Sequence, residues 1–455
     1  MAQEDNHYAR LGIPVDATPE DVRRAYREAA RRLHPDVNTD PHAAELFLLI
    51  QESFNVLSDA KKRAEYDASL PPDFAIPVPV ALGTLYSRTT LPRIDEPQII
   101  YALIELLARP DPDAKLSPPL NVCIVLDVST SMQGPFLDTV KNTAIELIRQ
   151  LKPGDSLALV TFSDRAEVLI PAGKNPDLND VETRIRMLQT GGGTEIYKGL
   201  RTGFGEVQRL LRKDYVNHII LLTDGRTYGD EAGCIRIAQE SSNLGIGIST
   251  LGIGNKWNDA FLDNLAAITG GSSTFVTKPK DITQFLKEKF RGLIASYADR
   301  VSFSFEAGSG VELRYAFRLQ PEVSVLATQS PIQLGSVPLD TELKVLLEFY
   351  IQSVPVHIGH VILADGHLTF DIPSRFIPTY TSRIRLDRPT SSSPVAEQPP
   401  AAIVNAMSKL TLYRMQEKAQ QDLDTGNITA ATRRLQHLAT HLFSKGERDL
   451  AGAVM

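Results

Sequence analysis

The sequence predicts a multidomain protein in which a doubly wound, Rossmann-like α/β domain is inserted into a β-sandwich, with an all-α domain before it and an α-helical hairpin after it. Apolar strands alternate with amphipathic helices over residues 119–297, which is typical of a mainly parallel sheet. Strand-like runs flank that region, and helical periodicity marks both ends of the chain. The 455 residues also exceed the roughly 250–300 that one core usually serves, so several domains are expected.

The composition is that of an ordinary globular protein, with 42% hydrophobic and 23% charged residues. A net charge of −7 argues against nucleic acid as a partner, because nucleic-acid-binding domains are basic. The first residues are polar and acidic, unlike a signal peptide, and no run of about 18 apolar residues predicts a membrane span. Cys123 and Cys234 lack metal-ligand spacing and fit a reducing compartment. We therefore expect a cytoplasmic protein that binds neither nucleic acid nor membrane.

Residues 1–70 carry the pattern of two helices joined by a sharp turn. Thr18 and Pro19 suit the start of a helix, whose apolar residues recur at helical spacing. The helix runs into the tripeptide His-Pro-Asp at residues 34–36, where the proline turns the chain, and a second helix is predicted over about 43–57. The tripeptide should therefore lie at the tip of a hairpin. The exposed side of the first helix is predicted to carry Arg23, Arg24, Arg27, Arg31 and Arg32, and the first four of these are called here the arginine face.

This segment resembles a J-domain. The resemblance covers residues 5–69 and rests on the basic helix, the His-Pro-Asp tripeptide, a Tyr-Ala-Arg-Leu-Gly run before them and a Val-Leu-Ser-Asp run after them. It implies that His34, Pro35 and Asp36 contact a DnaK-type chaperone and stimulate its ATP hydrolysis, while the arginine face docks on an acidic surface of that partner. The alternative for the arginines is a solvated helix face. On this resemblance the partner performs the chemistry.

Two regions rich in strand-like runs are separated by the α/β segment. Residues 71–118 begin with a proline-rich stretch and contain two candidate strands, and residues 298–387 contain five. Since two strands are not stable alone, we predict that both regions build one β-sandwich. The candidate strands are 81–90, 97–106, 301–305, 311–317, 323–327, 343–352 and 357–370.

The inserted domain, residues 119–297, is organised around an apolar run that reads as a strand buried on both faces. Its second and third strands are short and are expected to form a hairpin at the sheet edge. The predicted strands are 121–126, 156–162, 166–170, 217–223, 246–252 and 273–277. The predicted helices are 136–151, 178–189, 196–212, 230–243, 258–269 and 281–297.

Short oxygen-bearing side chains collect where the strands of this domain end. Asp127, Ser129 and Ser131 alternate after the central strand, Thr194 follows a run of three glycines, and Asp224 follows the strand 217–223. These positions share the edge at which open α/β sheets bind ligands. Hydroxyl and carboxylate oxygens suit a hard cation such as Mg²⁺.

This series resembles the metal-ion-dependent adhesion site of von Willebrand factor type A domains, over residues 119–297. The resemblance implies that Ser129, Ser131 and Thr194 touch Mg²⁺ (or Mn²⁺), while Asp127 and Asp224 hold its waters. An open position on the ion would then bind an Asp or Glu of a partner protein. Two other interpretations stay open: a serine-rich turn that caps the next helix, and a site that mainly ties three loops together.

The C-terminal region consists of a Pro- and Ser-rich linker, residues 388–400, and a helical hairpin, residues 401–455. Helices are predicted at 402–423 and 429–450, and so short a hairpin needs a host surface or a second copy. It loosely resembles a tetratricopeptide-type pair. Apolar residues on the first helix are expected to face those on the second, namely Leu410, Leu412, Met415 and Ala419 against Ala431, Leu435, Leu438, Leu442 and Leu450.

Together these features predict a co-chaperone. Its J-domain would recruit and stimulate a DnaK-type ATPase, while its type A domain would use Mg²⁺ to bind an unidentified client that offers Asp or Glu. The alternative is a non-catalytic, metal-dependent assembly adaptor for a complex such as a ring ATPase, with an ancillary J-domain. No catalytic arrangement can be argued from residue order, so we expect no enzymatic activity.

Overall fold

The structure, a computed structural model, describes most of the chain. His34, Pro35 and Asp36, which were expected to bind the chaperone, lie outside the described residues, and so does Leu450. The described ranges are 6–13, 15, 17–33, 41–70, 79–110, 118–173, 177–224, 229–254, 259–374, 379–394, 397–424 and 426–444.

The N-terminal helices are α1 (His7–Leu11), α2 (Pro19–Leu33), α3 (Pro41–Leu57) and α4 (Ala60–Ser69). Helix α2 begins with a capping box, in which the hydroxyl of Thr18 accepts the backbone N–H of Asp21 (3.2 Å) and the Asp21 carboxylate accepts the backbone N–H of Thr18 (2.9 Å). The apolar sides of α1, α2 and α3 meet in one small core. The predicted all-α domain is confirmed.

Three strands follow, β1 (Val80–Tyr86), β2 (Leu91–Pro92) and β3 (Gln98–Ala108), and then the α/β domain begins. Its strands are β4 (Leu120–Asp127), β5 (Ser156–Phe162), β6 (Ala166–Ile170), β7 (Val216–Thr223), β8 (Gly247–Ile253) and β9 (Ser273–Val276). They form one sheet in the order β6-β5-β4-β7-β8-β9, parallel except for the predicted β5–β6 hairpin.

Helices cover both faces of this sheet. They are α5 (Pro135–Arg149), α6 (Leu178–Arg186), α7 (Ile196–Arg209), α8 (Glu231–Leu244), α9 (Asp259–Thr269) and α10 (Pro279–Ile294). Every residue of β4 is buried: Val122 and Ile124 pack in the core beneath α5 and α10, whereas Cys123 and Val125 pack in the core beneath α7 and α8. The predicted doubly wound α/β fold is confirmed.

Several helix ends differ from the prediction. Helix α7 ends at Arg209 rather than at residue 212, and Arg212 lies in the turn that enters β7, where it pairs with Asp214 (2.8 Å). Helix α6 ends at Arg186 rather than at 189. Helix α10 ends at Ile294, and Ser296 already pairs with the sandwich strand that contains Pro338. Residues 296 and 297 therefore belong to the sandwich and not to the α/β domain.

The remaining strands are β10 (Ser296–Ala307), β11 (Val311–Gln320), β12 (Ser324–Leu326), β13 (Ile332–Pro338), β14 (Leu343–Ile351), β15 (His360–Asp371) and β16 (Thr379–Ser391). The first sheet has the order β1-β3-β14-β11-β12, and the second β13-β10-β15-β16-β2. Both contain strands from before and after the α/β domain, and their inner faces share one apolar core. The β-sandwich thus draws on both flanking regions.

Three sandwich strands were missed by the sequence analysis: the two-residue β2, β13 and β16. Strand β13 contains Gly335 and Pro338, which weaken a strand signal. Strand β16 runs through residues assigned to the linker, because Thr390 pairs with β2 and its backbone N–H bonds to Gly359 (2.9 Å). The linker therefore begins after Ser391 and not at residue 388.

The C-terminal helices are α11 (Ala401–Asp424) and α12 (Ile428–Ser444). Leu410 does not face α12 as expected: it packs with Ile403 and Ala406 against the outer face of the first sheet, on Leu103 and Phe317. The next turns do meet α12, because Leu412 and Met415 pack on Leu435 and Leu438. The sandwich is thus the host surface that the hairpin requires. In the part of the chain that the structure describes, no helix combines the length and the apolar composition that a membrane span needs.

Candidate metal site and chaperone-binding surface

Asp127 is the last residue of β4 and is completely buried. Its two carboxylate oxygens accept the backbone N–H of Ser129 (2.8 Å) and the hydroxyl of Thr223 (2.7 Å) at the end of β7. Burial raises the pKa of Asp127 to about 6, although these hydrogen bonds lower it part of the way. Asp127 therefore holds the loop after β4 against the end of β7.

Ser129, Ser131 and Asp224 bring three oxygens together at the carboxyl edge of the sheet. The two serine hydroxyls are 3.1 Å apart, and the Ser131 hydroxyl donates to Oδ1 of Asp224 (2.8 Å). The Ser129 hydroxyl lies 3.4 Å from the same carboxylate oxygen. Ser129 is buried, whereas Ser131 is exposed, so the cluster opens to solvent on one side.

The glycine loop borders this cluster. The backbone N–H and hydroxyl of Thr130 donate to the carbonyl of Gly192 (3.3 and 3.2 Å), and the N–H of Gly191 donates to Val128 (2.8 Å). Thr194 follows the loop and is half-buried. Among the hydrogen bonds of the described residues, none joins Thr194 to the other predicted ligands. The structure therefore brings Asp127, Ser129, Ser131 and Asp224 into one network and places Thr194 beside it.

The donor set fits a hard divalent cation. Hydroxyl and carboxylate oxygens are the ligands that Mg²⁺ takes, and Mg²⁺ keeps several waters. No cluster of three or more His, Cys, Asp or Glu in the described part of the chain suits a metal ion. An ion at this edge would therefore rely on the serine hydroxyls for part of its protein ligands. The oxygens of Ser129 and Ser131 are close enough to share one ion.

Sequence reasoning missed three side chains that shape this edge. Thr223 bonds to Asp127, as described above. Asp164, in the β5–β6 hairpin, accepts the N–H of Gly193 (2.9 Å) and lies so close that a Cβ on Gly192 would be 2.5 Å from its Oδ2. Asp230 accepts the backbone N–H of Tyr197, in the first turn of α7 (2.8 Å). All three contacts join residues at least 29 positions apart in sequence, so the one visible signal was the hydroxyl directly before Asp224.

The arginine face of α2 lies open to solvent. Arg23, Arg27 and Arg31 are exposed. Arg24 is partly covered, and its guanidinium donates to Asp21 (2.6 Å). The exposed cations thus form a basic strip along one side of α2.

Family models match three parts of the chain. The DnaJ domain matches residues 6–67, the von Willebrand factor type A domain matches residues 121–289, and the Sll0103-like, C-terminal alpha-helical domain matches residues 401–455. The first two matches coincide with the helices α1–α4 and with the six-stranded sheet.

Curated relatives divide into two kinds. The uncharacterized protein sll0103 of Synechocystis sp. is 29% identical over 342 residues, which cover 72% of this chain and 79% of that protein. DnaJ 1 of Mycobacterium leprae is 53% identical over 64 residues, and DnaJ 2 of Thermus thermophilus 51% over 67. This chain spans only 16% and 24% of those two DnaJ proteins.

Solved structures share the larger fold. A von Willebrand factor type A protein from Catenulispora acidiphila has a TM-score of 0.67 at 15% identity, covering 82% of this chain and 88% of that one. The ArnB paralog VWA2 of Sulfolobus acidocaldarius has a TM-score of 0.53 at 16% identity, covering 83% and 93%. At such identities the likeness concerns the fold alone. The chain thus combines an N-terminal J-domain with a Rossmann-like von Willebrand factor type A domain and a C-terminal helical domain.

Proposed function

We propose that the protein is a co-chaperone whose J-domain recruits a DnaK-type chaperone and stimulates its ATPase, while its type A domain binds a client or complex through Mg²⁺ or Mn²⁺. The observation that carries this proposal is the presence, in one chain, of a J-domain with an open arginine face and of a solvent-facing oxygen cluster at the type A sheet edge. We also propose that the protein is cytoplasmic, because a DnaK-type chaperone would be available to it there.

The oxygen cluster supports the binding role. Ser129, Ser131 and Thr194 would contact the ion, and Asp127 and Asp224 would hold its waters. Neutral hydroxyl ligands leave the ion most of its charge, so that it attracts a carboxylate at an open position. When bound, the ion supplies that attraction, and the chain positions it. An Asp or Glu of the partner protein is the group that fits.

The J-domain part is tested by ATP turnover of a DnaK-type chaperone. We expect the full chain to stimulate turnover and His34→Gln to abolish the stimulation. The double variant Ser129→Ala/Ser131→Ala should stimulate normally, because it changes a different domain. Full stimulation by His34→Gln would remove the tripeptide from the mechanism.

The metal part is tested by isothermal titration with Mg²⁺. Replacing Ser129 and Ser131 by alanine should weaken binding at least about tenfold, because two of the protein's ligand atoms are lost. Thr130→Ala is the matched control, since its hydroxyl bonds to Gly192 and not to Asp224. Unchanged Mg²⁺ binding by the double variant would contradict the assignment.

The same variants separate the co-chaperone from the assembly adaptor. The adaptor is kept as a second candidate for two reasons. Most of the chain lies outside the J-domain, and the chain spans only a small share of its DnaJ relative. Suppose that capture of the type A domain's partner needs Mg²⁺ and that the His34→Gln variant still performs the protein's function in cells. The chain is then an adaptor with an ancillary J-domain. Loss of function in His34→Gln, with capture retained, supports the co-chaperone.

A further inference from the structure

The position of Thr194 depends on the backbone on either side of it. In the part of the chain that the structure describes, no hydrogen bond joins its side chain to the other predicted ligands, whereas both of its neighbours are bonded to the β5–β6 hairpin. The backbone N–H of Gly193 donates to Oδ1 of Asp164 (2.9 Å), and that of Glu195 donates to the carbonyl of Ser163 (3.0 Å). The hairpin therefore holds the chain immediately before and immediately after Thr194.

The turn of this hairpin is itself held in place. Across the turn, the backbone N–H of Ser163 donates to the carbonyl of Arg165 (2.9 Å). Nζ of Lys198, in the first turn of α7, donates to the carbonyl of Asp164 (2.9 Å) and pairs with Glu195 (2.7 Å). The turn that carries Asp164 is thus bonded to itself and to the helix that follows the glycine loop.

The other side of the glycine loop is bonded to the loop after β4. The N–H of Gly191 donates to Val128, and the carbonyl of Gly192 accepts the N–H and hydroxyl of Thr130. Consecutive glycines lose more conformational freedom on ordering than other residues do. A loop of this composition therefore holds a ligand in place only where such contacts order it, and this loop has them on both sides.

The approach of Asp164 to the loop depends on two of the glycines. Gly192 has a φ of +84°, a left-handed conformation that favours glycine. A Cβ there would lie 2.5 Å from Oδ2 of Asp164, and a Cβ at Gly193 would lie 2.9 Å from Oδ1. The carboxylate is therefore packed against the loop as well as bonded to it.

We propose that Asp164 is a positioning residue of the metal site: it orders the glycine loop so that the hydroxyl of Thr194 is held ready for the ion, and it does so as a hydrogen-bond acceptor and not through its charge. This rests on the proposed function of the type A domain, in which Thr194 contacts Mg²⁺. Because Mg²⁺ demands near-ideal octahedral geometry, a ligand on an unordered loop contributes little affinity. A loop that is ordered beforehand loses less freedom on binding, so the ion is bound more tightly.

The first test is isothermal titration of the full chain with MgCl₂. Asp164→Ala removes both the acceptor and the charge, and it should weaken Mg²⁺ binding at least about threefold. Asp164→Asn removes the same charge but keeps a side-chain oxygen for the Gly193 N–H, so its affinity should stay within about twofold of wild type. Glu167→Ala is the matched control, because it removes an exposed carboxylate from β6 of the same hairpin, and it should leave affinity unchanged.

Two results of this titration would overturn the proposal. Equal weakening by Asp164→Ala and Asp164→Asn would mean that the carboxylate attracts the ion through its charge. Unchanged affinity in Asp164→Ala would mean that the loop is ordered without this side chain.

A double-mutant cycle shows whether Asp164 acts through Thr194. Thr194→Ala removes the proposed ligand and should itself weaken Mg²⁺ binding. In that background Asp164→Ala should have no further effect on affinity, because no hydroxyl is left to position. Additive losses in the double variant would contradict the proposal, since Asp164 would then act on another part of the site.

Hydrogen exchange of the metal-free protein in EDTA gives a readout that does not depend on the ion. In Asp164→Ala the amides of Gly193 and Glu195 should exchange faster than in wild type, because the loop opens more often, and Asp164→Asn should restore the slow exchange. Amides of the buried strand β4 should exchange equally in all three proteins, which verifies that the domain remains folded. Mass spectrometry of peptides that contain the loop measures the rates. Equal rates in wild type and Asp164→Ala would show that the contact does not order the loop.

Failure of this proposal is distinguishable from failure of the proposed function. If wild type binds Mg²⁺ and Ser129→Ala/Ser131→Ala weakens binding, but Asp164→Ala binds like wild type, the metal site stands and only the positioning role is wrong. If wild type binds no Mg²⁺, the metal site of the proposed function is wrong, and the positioning role falls with it.

Discussion

Asp127 and the serines that follow it share one loop but have different physical roles. The buried carboxylate of Asp127 accepts two hydrogen bonds from the protein. Within the described part of the chain, the exposed Ser131 hydroxyl bonds only to other members of the oxygen cluster. Removing the Asp127 carboxylate leaves buried donors without acceptors. Removing the Ser131 hydroxyl leaves donors and acceptors that water can reach.

We therefore predict that Asp127→Ala lowers the free energy of unfolding by about 1–3 kcal/mol, because the Ser129 N–H and the Thr223 hydroxyl lose their acceptor. Ser131→Ala should change it by less than about 0.5 kcal/mol, as is usual for exposed positions. Urea denaturation without added metal measures both. Similar costs for the two variants would show that Asp127 is not the structural member of the site.

The packing of α7 on β4 depends on a glycine. A Cβ at Gly203 would lie 2.3 Å from Cγ2 of Val125, whereas a Cβ at Gly205 would meet nothing within 4 Å. We predict that Gly203→Ala destabilises the protein by about 1–3 kcal/mol through overpacking. Gly205→Ala should stabilise it by about 0.5–1 kcal/mol, because alanine is the better helix former. Thermal melts of the two variants measure these changes in stability. Equal changes in the two variants would mean that α7 shifts freely on the sheet.

At the scale of the elements, α11 packs against two other domains. Its first turns bury Ile403, Ala406 and Leu410 on the first sheet of the sandwich. Further along, the hydroxyl of Tyr413 donates to Asp263 of α9 (3.1 Å), and Arg414 pairs with Glu348 of β14 (3.0 Å). One helix thus contacts both the sandwich and the type A domain.

Leu410→Ala should therefore cost about 2–5 kcal/mol, the range for truncating a buried leucine. Val404→Ala is the control, because Val404 lies on the same helix and is 42% exposed. Denaturant unfolding measures the cost, and protease cleavage near α11 should accelerate only in the leucine variant. A cost of less than about 1 kcal/mol for Leu410→Ala would indicate that α11 is loosely attached.

At the scale of the whole molecule, two buried cations join the type A domain to the sandwich. Arg318 of β11 donates to the carbonyls of Gly270 (2.6 Å) and Gly271 (2.5 Å), and Lys289 of α10 pairs with Glu322 (2.5 Å). Such groups are costly to bury alone, but each is satisfied across the interface. The two domains therefore separate only if several charges lose their partners together.

This interface should make the protein sensitive to acid. Burial lowers the pKa of His218 to about 3, and its Nε2 lies 2.9 Å from the Ser249 hydroxyl. Burial alone would raise the pKa of Glu322, but the Lys289 ammonium outweighs it and lowers that pKa to about 2. Below its ordinary pKa of 6.5 the unfolded histidine takes up a proton that the folded one does not, and Glu322 behaves likewise below 4.5.

We predict that stability falls as the pH drops from about 6.5 toward 3 for His218, and from about 4.5 toward 2 for Glu322. His218→Gln should flatten the upper part of this profile, between pH 6.5 and 4.5. His360→Gln, which changes an exposed histidine, should leave it unchanged. Melting temperatures at closely spaced pH values measure the profile, and identical profiles for wild type and His218→Gln would contradict the assignment.

Local signals in the sequence were sufficient to predict which kinds of domain the chain contains. Helical periodicity, the capping residues of α2 and the alternation of apolar strands with helices act within a few residues, so they are visible in one dimension. For the same reason the oxygen-bearing residues at the ends of β4 and β7 can be recognised from the sequence. The roles of these residues toward a metal ion stay a prediction.

The sequence by itself therefore determined the J-domain, the doubly wound sheet and the composition of its polar edge. Only the tertiary structure decided that β16 extends through the expected linker, that Leu410 faces the sandwich, and that Arg318 of the sandwich is buried against the type A domain. Each of these depends on partners distant in sequence, and whether a charged or apolar side chain is buried is set by what packs over it. That physical information does not exist until the domains meet.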